Sequence, residues 1–391
     1  MKHRLAIITT HPIQYNAPWF RLLNESHVIQ PKVFYTLSQA NQKAIYDPGF
    51  GKTIEWDIPL LEGYEYEFVP NVSAKPGTRS FLGIVNPELI ARVNTWAPDF
   101  LLVFGWNFKS HLELMRSFRG KIPILFRGDS TLLDEKPGIR TLTRRLALKW
   151  VFRNIDYALA VGTNNKDYFL KHGLREAQIR IAHHSVDTHR FETGEDTLAI
   201  QDFRKAAGAD ENDFLILYAG KFEKKKAPGF IIGLARSLRS EPGIKFLMVG
   251  NGALEPELKK AAGNDLNIVF LPFQNQGSMP SLYKSADLFI LPSIGPGETW
   301  GLAVNEAMAC RLPVIATDKV GGAIDLIEQH RNGIVISPGD VTAARDYILK
   351  LKRDPVERKT AGNYSYSLIR KFDMRQIVTI LEDILVNHKK V

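Results

Sequence analysis

Along the chain, short unbroken apolar runs alternate with longer stretches whose apolar positions recur every third or fourth residue. The short runs predict strands and the longer stretches predict helices. In the first half, strands are predicted over residues 5–10, 32–36, 100–104, 122–127, 157–161 and 179–182, with helices over 18–24, 87–96 and 141–155. Residues 187–213 then turn polar and charged without a strand signal, and read as a linker. The alternation resumes with strands 214–219, 245–249, 267–271, 288–291 and 313–316 and helices 229–239, 256–262, 280–285 and 302–310. A last helix, 374–388, carries Ile377, Ile380, Leu381 and Ile384 on one face.

Such alternation predicts parallel sheets wrapped by helices. The expected fold class is α/β, with two Rossmann-like domains facing across a cleft: residues 1–190 and 191–371, the terminal helix 372–391 packing back on the first. Doubly wound sheets bind ligands beyond the carboxyl ends of their strands. The loops that follow strands are therefore where chemistry is to be sought.

A chain of 391 residues has room for two domains, and 45% hydrophobic with 24% charged residues is a globular composition. The net charge of +9 suits phosphorylated small molecules, anionic lipid or nucleic acid. Neither zinc-finger spacing nor an aromatic RNA-binding signature is present, so nucleic acid is set aside. A single cysteine, Cys310, excludes an internal disulfide and points to a reducing, cytoplasmic setting. The apolar run 5–8 is too short for a signal-peptide core, and nothing in the sequence reaches the ~18 apolar residues of a membrane span.

The second half holds the densest chemistry. After strand 288–291 comes Pro292-Ser293-Ile294-Gly295-Pro296-Gly297-Glu298-Thr299-Trp300-Gly301, a turn-rich loop that opens a helix at Leu302. A helix N-terminus offers unpaired N–H groups and partial positive charge, both suited to phosphate, and Gly301 lets a ligand approach that backbone. Glu306 follows among Ala303, Ala307 and Ala309. A carboxylate in small apolar surroundings needs donors, and sugar or ribose hydroxyls can supply them. After strand 214–219, Gly220 and Lys221 precede Lys224, Lys225 and Lys226. Lys221 and Lys226 can reach the strand's carboxyl end, where cations would offset the charge of a leaving diphosphate; Lys224 and Lys225 read as solvated. Gly250-Asn251-Gly252 lacks the third glycine of the dinucleotide fingerprint, Glu255 standing there, which argues against a dehydrogenase.

Glu298 and Glu306 in this setting, followed by Pro313-Val314-Ile315-Ala316 and Gly321-Gly322, resemble the signature of the family 4 retaining glycosyltransferases of the GT-B fold (glycosyl transferases group 1). Gly220-Lys221 with Lys226, Gly250-Asn251-Gly252, Leu282-Tyr283-Lys284-Ser285-Ala286-Asp287 and Val186-Asp187 before Phe191 match it too. The resemblance implies that Glu298 holds donor-sugar hydroxyls and that Thr299, Trp300, Gly301 and Leu302 meet sugar and diphosphate by backbone. It gives Glu306 the ribose, Gly220, Lys221 and Lys226 the diphosphate, and the backbone near Gln274 the base. It implies a metal-free, cofactor-free reaction in which a hexose leaves a nucleotide diphosphate, most simply UDP, for a saccharide or lipid-linked acceptor with retained anomeric configuration. Lys221 stands where relatives often carry arginine. Trp300 stands where Phe or Tyr is common, a change able to reshape the sugar pocket.

The first half resembles the acceptor domain more loosely. The loop after strand 5–10 offers His11 and Gln14 in place of the family's glycine pair, and the loop after strand 122–127 offers Arg127 and Asp129; a buried Arg–Asp pair is the structural alternative. His183 and His184 read as structural, since neighbours on a strand point apart. Arg140, Arg144, Arg145, Lys149 and Arg153 share a helix with Leu142, Leu146, Trp150 and Val151, which is either an ordinary surface helix or one that lies on anionic lipid at the inner face of the membrane. The rival readings are a nucleotide-sugar epimerase or a phosphorylase of the same fold, and a non-catalytic nucleotide-binding module.

Overall fold

The computed structural model describes every residue except 1, 41–43, 48, 195, 264–266 and 389–391. In chain order the strands are β1 (His3–Thr9), β2 (Ile29–Tyr35), β3 (Ala44–Asp47), β4 (Lys52–Glu55), β5 (Glu65–Phe68), β6 (Phe100–Phe104), β7 (Ile124–Gly128), β8 (Tyr157–Ala160) and β9 (Ile179–Ile181). They continue with β10 (Phe214–Ala219), β11 (Ile244–Val249), β12 (Ile268–Leu271), β13 (Leu288–Leu291), β14 (Val314–Thr317) and β15 (Gly333–Ile336).

Two compact units result. One comprises 1–43, 59–184 and 374–391, the other 44–58 and 185–373. The division therefore falls six residues before the 190/191 boundary read from sequence, and residues 44–58, placed by sequence in the first unit, belong to the second.

The first unit holds a parallel sheet ordered β5-β2-β1-β6-β7-β8-β9. Its inner strands β1, β6, β7 and β8 are largely buried on both faces, which is why they read as continuous apolar runs rather than alternating ones. The two faces carry separate cores, one around Val103, Phe126 and Phe169, the other around Leu5, Trp19 and Leu102. The helix Met374–Asn387 contributes Met374, Ile377, Leu381, Ile384 and Leu385 to the second of these cores. The Ser26 hydroxyl donates to Glu382 at 2.5 Å along the same seam.

The second unit's sheet runs β12-β11-β10-β13-β14-β15, again parallel. Counted from β10, this is the doubly wound order whose direction of growth reverses between the first and fourth strands. The crevice at that reversal lies between the carboxyl ends of β10 and β13, so the loops beginning at Gly220 and Pro292 flank it. All six β10 residues are buried.

The stretch read as a linker, 187–213, instead holds two helices, Thr188–Thr193 and Thr197–Ala206. Each starts on an aspartate: Asp187 accepts from Arg190 N and Asp196 from Ala199 N. Side-chain caps replace missing backbone partners and make short polar helices possible. β3 pairs antiparallel with β4, Ala44–Asp47 against Lys52–Glu55, as a hairpin.

Candidate functional site

The site is built from three loops at the carboxyl ends of β10, β13 and β14. From β13, the chain runs through Ser293, fully buried, to Glu298, 7% exposed. The Ser293 hydroxyl donates to Glu298 Oε2 at 3.0 Å, and the Lys226 ammonium lies 2.5 Å from the same oxygen. Thr317, at the end of β14, donates its hydroxyl to the Ser293 carbonyl. The peptide N–H groups of Gly321 and Gly322 donate to the carbonyls of Glu298 (2.9 Å) and Trp300 (2.8 Å). This close approach explains the glycine pair: a Cβ at Gly321 would sit 1.9 Å from the Thr299 carbonyl oxygen.

Gly301 then caps the helix Leu302–Ala309 with φ of +94°, a left-handed conformation that favours glycine. One helical turn on, Glu306 is 3% exposed and accepts from the Tyr283 hydroxyl at 2.8 Å. Both glutamates are thus buried carboxylates with side-chain donors, not solvated acids. Trp300 corrects an expectation. Its indole is 3% exposed, donates from Nε1 to Asn305 at 2.8 Å and lies beside Phe372, so its side chain is packed inside the unit and does not shape a sugar pocket.

After β10, Gly220 leads into a segment whose last residues, Lys224–Lys226, form a single 3-10 turn. The Tyr218 hydroxyl donates to the Lys221 carbonyl at 2.9 Å. Burial first, then the Glu298 and Glu223 carboxylates, hold the Tyr218 phenol well above its ordinary pKa. Ile294 N donates to Lys225 O at 2.8 Å, which stitches the β13 loop to the lysine segment. Gly250-Asn251-Gly252 packs on the same segment: Cβ atoms at Gly250 and Gly252 would meet the carbonyl oxygens of Gly220 at 2.0 Å and Phe222 at 2.6 Å. Asn251 Oδ1 accepts from Phe273 N at 2.9 Å, and Gln274 Nε2 donates to Pro272 O at 3.0 Å. The structure therefore brings Glu298 and Lys226 into contact and ties Gly220, Lys221 and the Gln274 loop to the same end of the sheet. The sequence gives no sign of the supporting roles of Ser293, Tyr283, Thr317 and Asn305. The spacing of Tyr283 before its strand was visible, but nothing showed that its hydroxyl meets Glu306.

In the first unit, the loop after β1 places His11 and Gln14, both half-buried, ahead of the helix Ala17–Glu25. The Thr10 hydroxyl pairs with His11 Nδ1 at 2.8 Å, and burial lowers the imidazole pKa. Arg127 is 3% exposed and donates to the carbonyls of Ala182 (2.7 Å) and His183 (3.3 Å); its buried Nε has no protein partner. Burial pushes the guanidinium pKa down to about 10, with Asp129 opposing that shift. Asp129 itself is exposed, so the pair is not jointly buried. Arg127 fixes the backbone of 182–183, which weakens its candidacy as an acceptor ligand. Among the described residues, no cluster of three or more His, Cys, Asp or Glu is placed to hold a metal ion.

The family model described as glycosyl transferases group 1 matches residues 199–368, which contain all three of these loops. The chain is similar to a D-inositol 3-phosphate glycosyltransferase of Mycobacterium bovis, 29% identical over 195 residues, covering 47% of the chain and 38% of the relative's length. The whole chain shares its fold with solved structures. HepE from Anabaena in complex with UDP superposes with a TM-score of 0.72 at 19% identity, over 99% of the chain and all of that protein. A sucrose-phosphate synthase from Thermosynechococcus elongatus gives 0.71 at 16% identity, over 98% of each. The fold is that of the GT-B glycosyltransferases, with the group 1 domain supplying the second Rossmann-like unit.

Proposed function

We propose that this protein is a retaining glycosyltransferase that moves a hexose from a nucleotide diphosphate sugar to a saccharide or lipid-linked acceptor in polysaccharide or glycoconjugate assembly. The observation that carries this reading is the buried Lys226–Glu298 pair at the sheet's reversal point, set beside a helix opened by a left-handed glycine. UDP is the favoured carrier, because HepE, of the same fold, was solved with UDP.

In this reading Glu298 accepts hydroxyls of the donor sugar, and Lys226 orients its carboxylate. Glu306 accepts the ribose hydroxyls, with the Tyr283 hydroxyl holding its second oxygen. Lys221, Lys226 and the N–H groups at Gly301 and Leu302 take up the charge on the diphosphate as the anomeric C–O bond breaks, a role in which fixed donors need no reorganisation. The acceptor hydroxyl forms the new C–O bond on the face the diphosphate leaves, and its proton passes to the departing phosphate oxygen. The charge is handled by protein cations, with no metal ion or cofactor.

The first unit carries the acceptor. Its helix Ile139–Phe152 exposes Ile139 (82%), Leu142 (59%), Leu146 (63%) and Trp150 (46%) along one face, flanked by Arg140, Arg144, Lys149 and Arg153. An apolar stripe rimmed by cations suits an anionic membrane surface, where a lipid-linked acceptor would be met. In this reading the contact is peripheral, on the cytoplasmic side; no helix among the described residues is long and apolar enough to cross a membrane.

The test supplies UDP-, GDP- and ADP-hexoses with free and lipid-linked saccharides and reads the products by mass and by anomeric NMR couplings. One nucleotide sugar should give transfer with the donor's anomeric configuration. Inversion would refute the retaining assignment, and acceptor-independent interconversion of the nucleotide sugar would establish an epimerase instead.

A further inference from the structure

The hairpin β3–β4 is the part of the second unit that neither the sequence motifs nor the proposed chemistry uses. It packs on the loop after β12. The ring of Phe50, near its tip, lies edge-on to Phe273 at 4.7 Å, with Trp56 6.3 Å from the same ring and the Lys52 ammonium 4.4 Å above it. The end of its second strand and the residues just after it are pinned: Asn275 Nδ2 donates to the Glu55 carbonyl at 2.6 Å, and Gly277 N donates to the Asp57 carboxylate at 2.9 Å. A Cβ at Gly277 would come within 2.8 Å of that carboxylate, so the fit is close.

The tip reaches further. The Lys221 ammonium sits 4.8 Å from the centre of the Phe50 ring, and a Cβ on Gly49 would meet that nitrogen at 2.6 Å. Phe50 thus touches both Phe273, next to Gln274, and the ammonium of Lys221. The family resemblance gives the backbone near Gln274 the base, and the reading proposed above gives Lys221 the diphosphate, of one nucleotide. A lysine ammonium over an aromatic face is held by the ring quadrupole. A diphosphate binds the same cation far more strongly, but the two cannot occupy its inner contact face together.

We propose that Phe50 and the donor diphosphate compete for the Lys221 ammonium, so that nucleotide binding releases the tip of the 44–58 hairpin from the second unit. The hairpin is a strap on the donor site whose latch is a cation–π contact and whose key is the diphosphate. The inference rests on the proposed donor site but adds a residue, Phe50, and a motion that the site itself does not require.

Calorimetric titration with UDP and with uridine, on the wild type, Phe50→Leu and Phe50→Ala, tests it. Phe50→Leu keeps apolar bulk at the tip and removes the ring face, which separates competition from packing. Both variants should bind UDP about two- to tenfold more tightly than wild type, the range a cation–π contact supports, with uridine affinity unmoved. Amide hydrogen exchange across 44–58 should speed up when UDP is added to the wild type. UDP affinity unchanged or weakened in both variants, or exchange that slows on UDP addition, overturns the proposal while leaving the donor site standing. A wild type that binds none of UDP, GDP, ADP or inorganic pyrophosphate overturns the donor site and the strap together.

Discussion

The ammonium of Lys226 lies 2.5 Å from Oε2 of Glu298, the lysine 18% and the glutamate 8% exposed at the side chain. The two come from the loops after different strands, β10 and β13, at the sheet's reversal point, so their meeting is a property of the fold and not of local sequence. Removing one partner of a largely buried pair strands the other. Lys226→Met should therefore destabilise the protein by about 3 kcal/mol, and Lys226→Met with Glu298→Gln should recover much of that loss. Chemical denaturation of the double-mutant cycle measures it. Activity should stay absent in all three variants, since stability returns but the charge pattern does not.

Glu306 and Tyr283 meet at 2.8 Å inside the unit. Tyr283→Phe removes one donor from a buried carboxylate and should cost about 1–3 kcal/mol of stability. Nucleotide affinity should fall as well, because the glutamate loses the group that orients it. Thermal unfolding with and without nucleotide separates the two effects.

The glycines of the site divide by what surrounds them. Gly321→Ala would drive a methyl group to 1.9 Å from the Thr299 carbonyl, whereas a Cβ at Gly229 meets nothing within 4 Å. Gly321→Ala should lower the melting temperature and abolish transfer. Gly229→Ala, in the first turn of the helix Gly229–Ser237, should leave activity intact and gain about 0.5–1 kcal/mol. Parallel melting curves and rate assays check the contrast.

His111 is fully buried, pairing with the Thr36 hydroxyl at 2.8 Å and with the Phe104 carbonyl at 3.0 Å. Burial pushes its pKa down to about 4. The unfolded chain therefore takes up this proton near the ordinary value of about 6.5 and the folded protein only near 4. Stability is complete above that upper value and falls as the pH drops through the window between, by at most about 1.4 kcal/mol per unit. His111→Gln should flatten that slope, as read from denaturation midpoints at several pH values; an unchanged slope would show that the imidazole does not contribute.

The exposed stripe Ile139, Leu142, Leu146 and Trp150 should carry the protein to vesicles containing anionic lipid. Leu142→Glu with Leu146→Glu should abolish flotation with such vesicles while leaving transfer to a soluble acceptor unaffected. Equal flotation of the wild type with neutral vesicles would remove the charge argument.

Much of the fold was legible because its strands lie in parallel sheets. Runs such as 214–219 and 288–291 are apolar on both faces, and the structure has β10 and β13 at those bounds. Proline blurred others. β2 runs through Pro31, which lies before the stretch Lys32–Tyr35 that pairs with β5, and β7 starts after Pro123 rather than at Ile122. β5 reads Glu-Tyr-Glu-Phe, too short and polar to stand out, and β15 is a four-residue run behind a glycine. The helices within 187–213 were hidden because a polar stretch capped by aspartate looks like a linker until its packing is seen. The hairpin β3–β4 was silent for a different reason: its partners, Phe273 and Lys221, lie far away in sequence. The candidate site was readable as residue types, Glu298, Glu306, Lys221 and Lys226. Its supports were not, since Ser293 acts within the folded loop after β13 and Thr317 and Tyr283 act through contacts between segments that only the topology brings together.

The most direct measurement is calorimetric titration of UDP, GDP and ADP into the wild type and into Glu306→Ala. One nucleotide should bind the wild type at one site per chain, and Glu306→Ala should weaken it by about 10- to 100-fold, the worth of a charged hydrogen bond to the ribose. Saturable binding that ignores the Glu306 substitution, or no binding of any of the three, would contradict the donor site described for this fold.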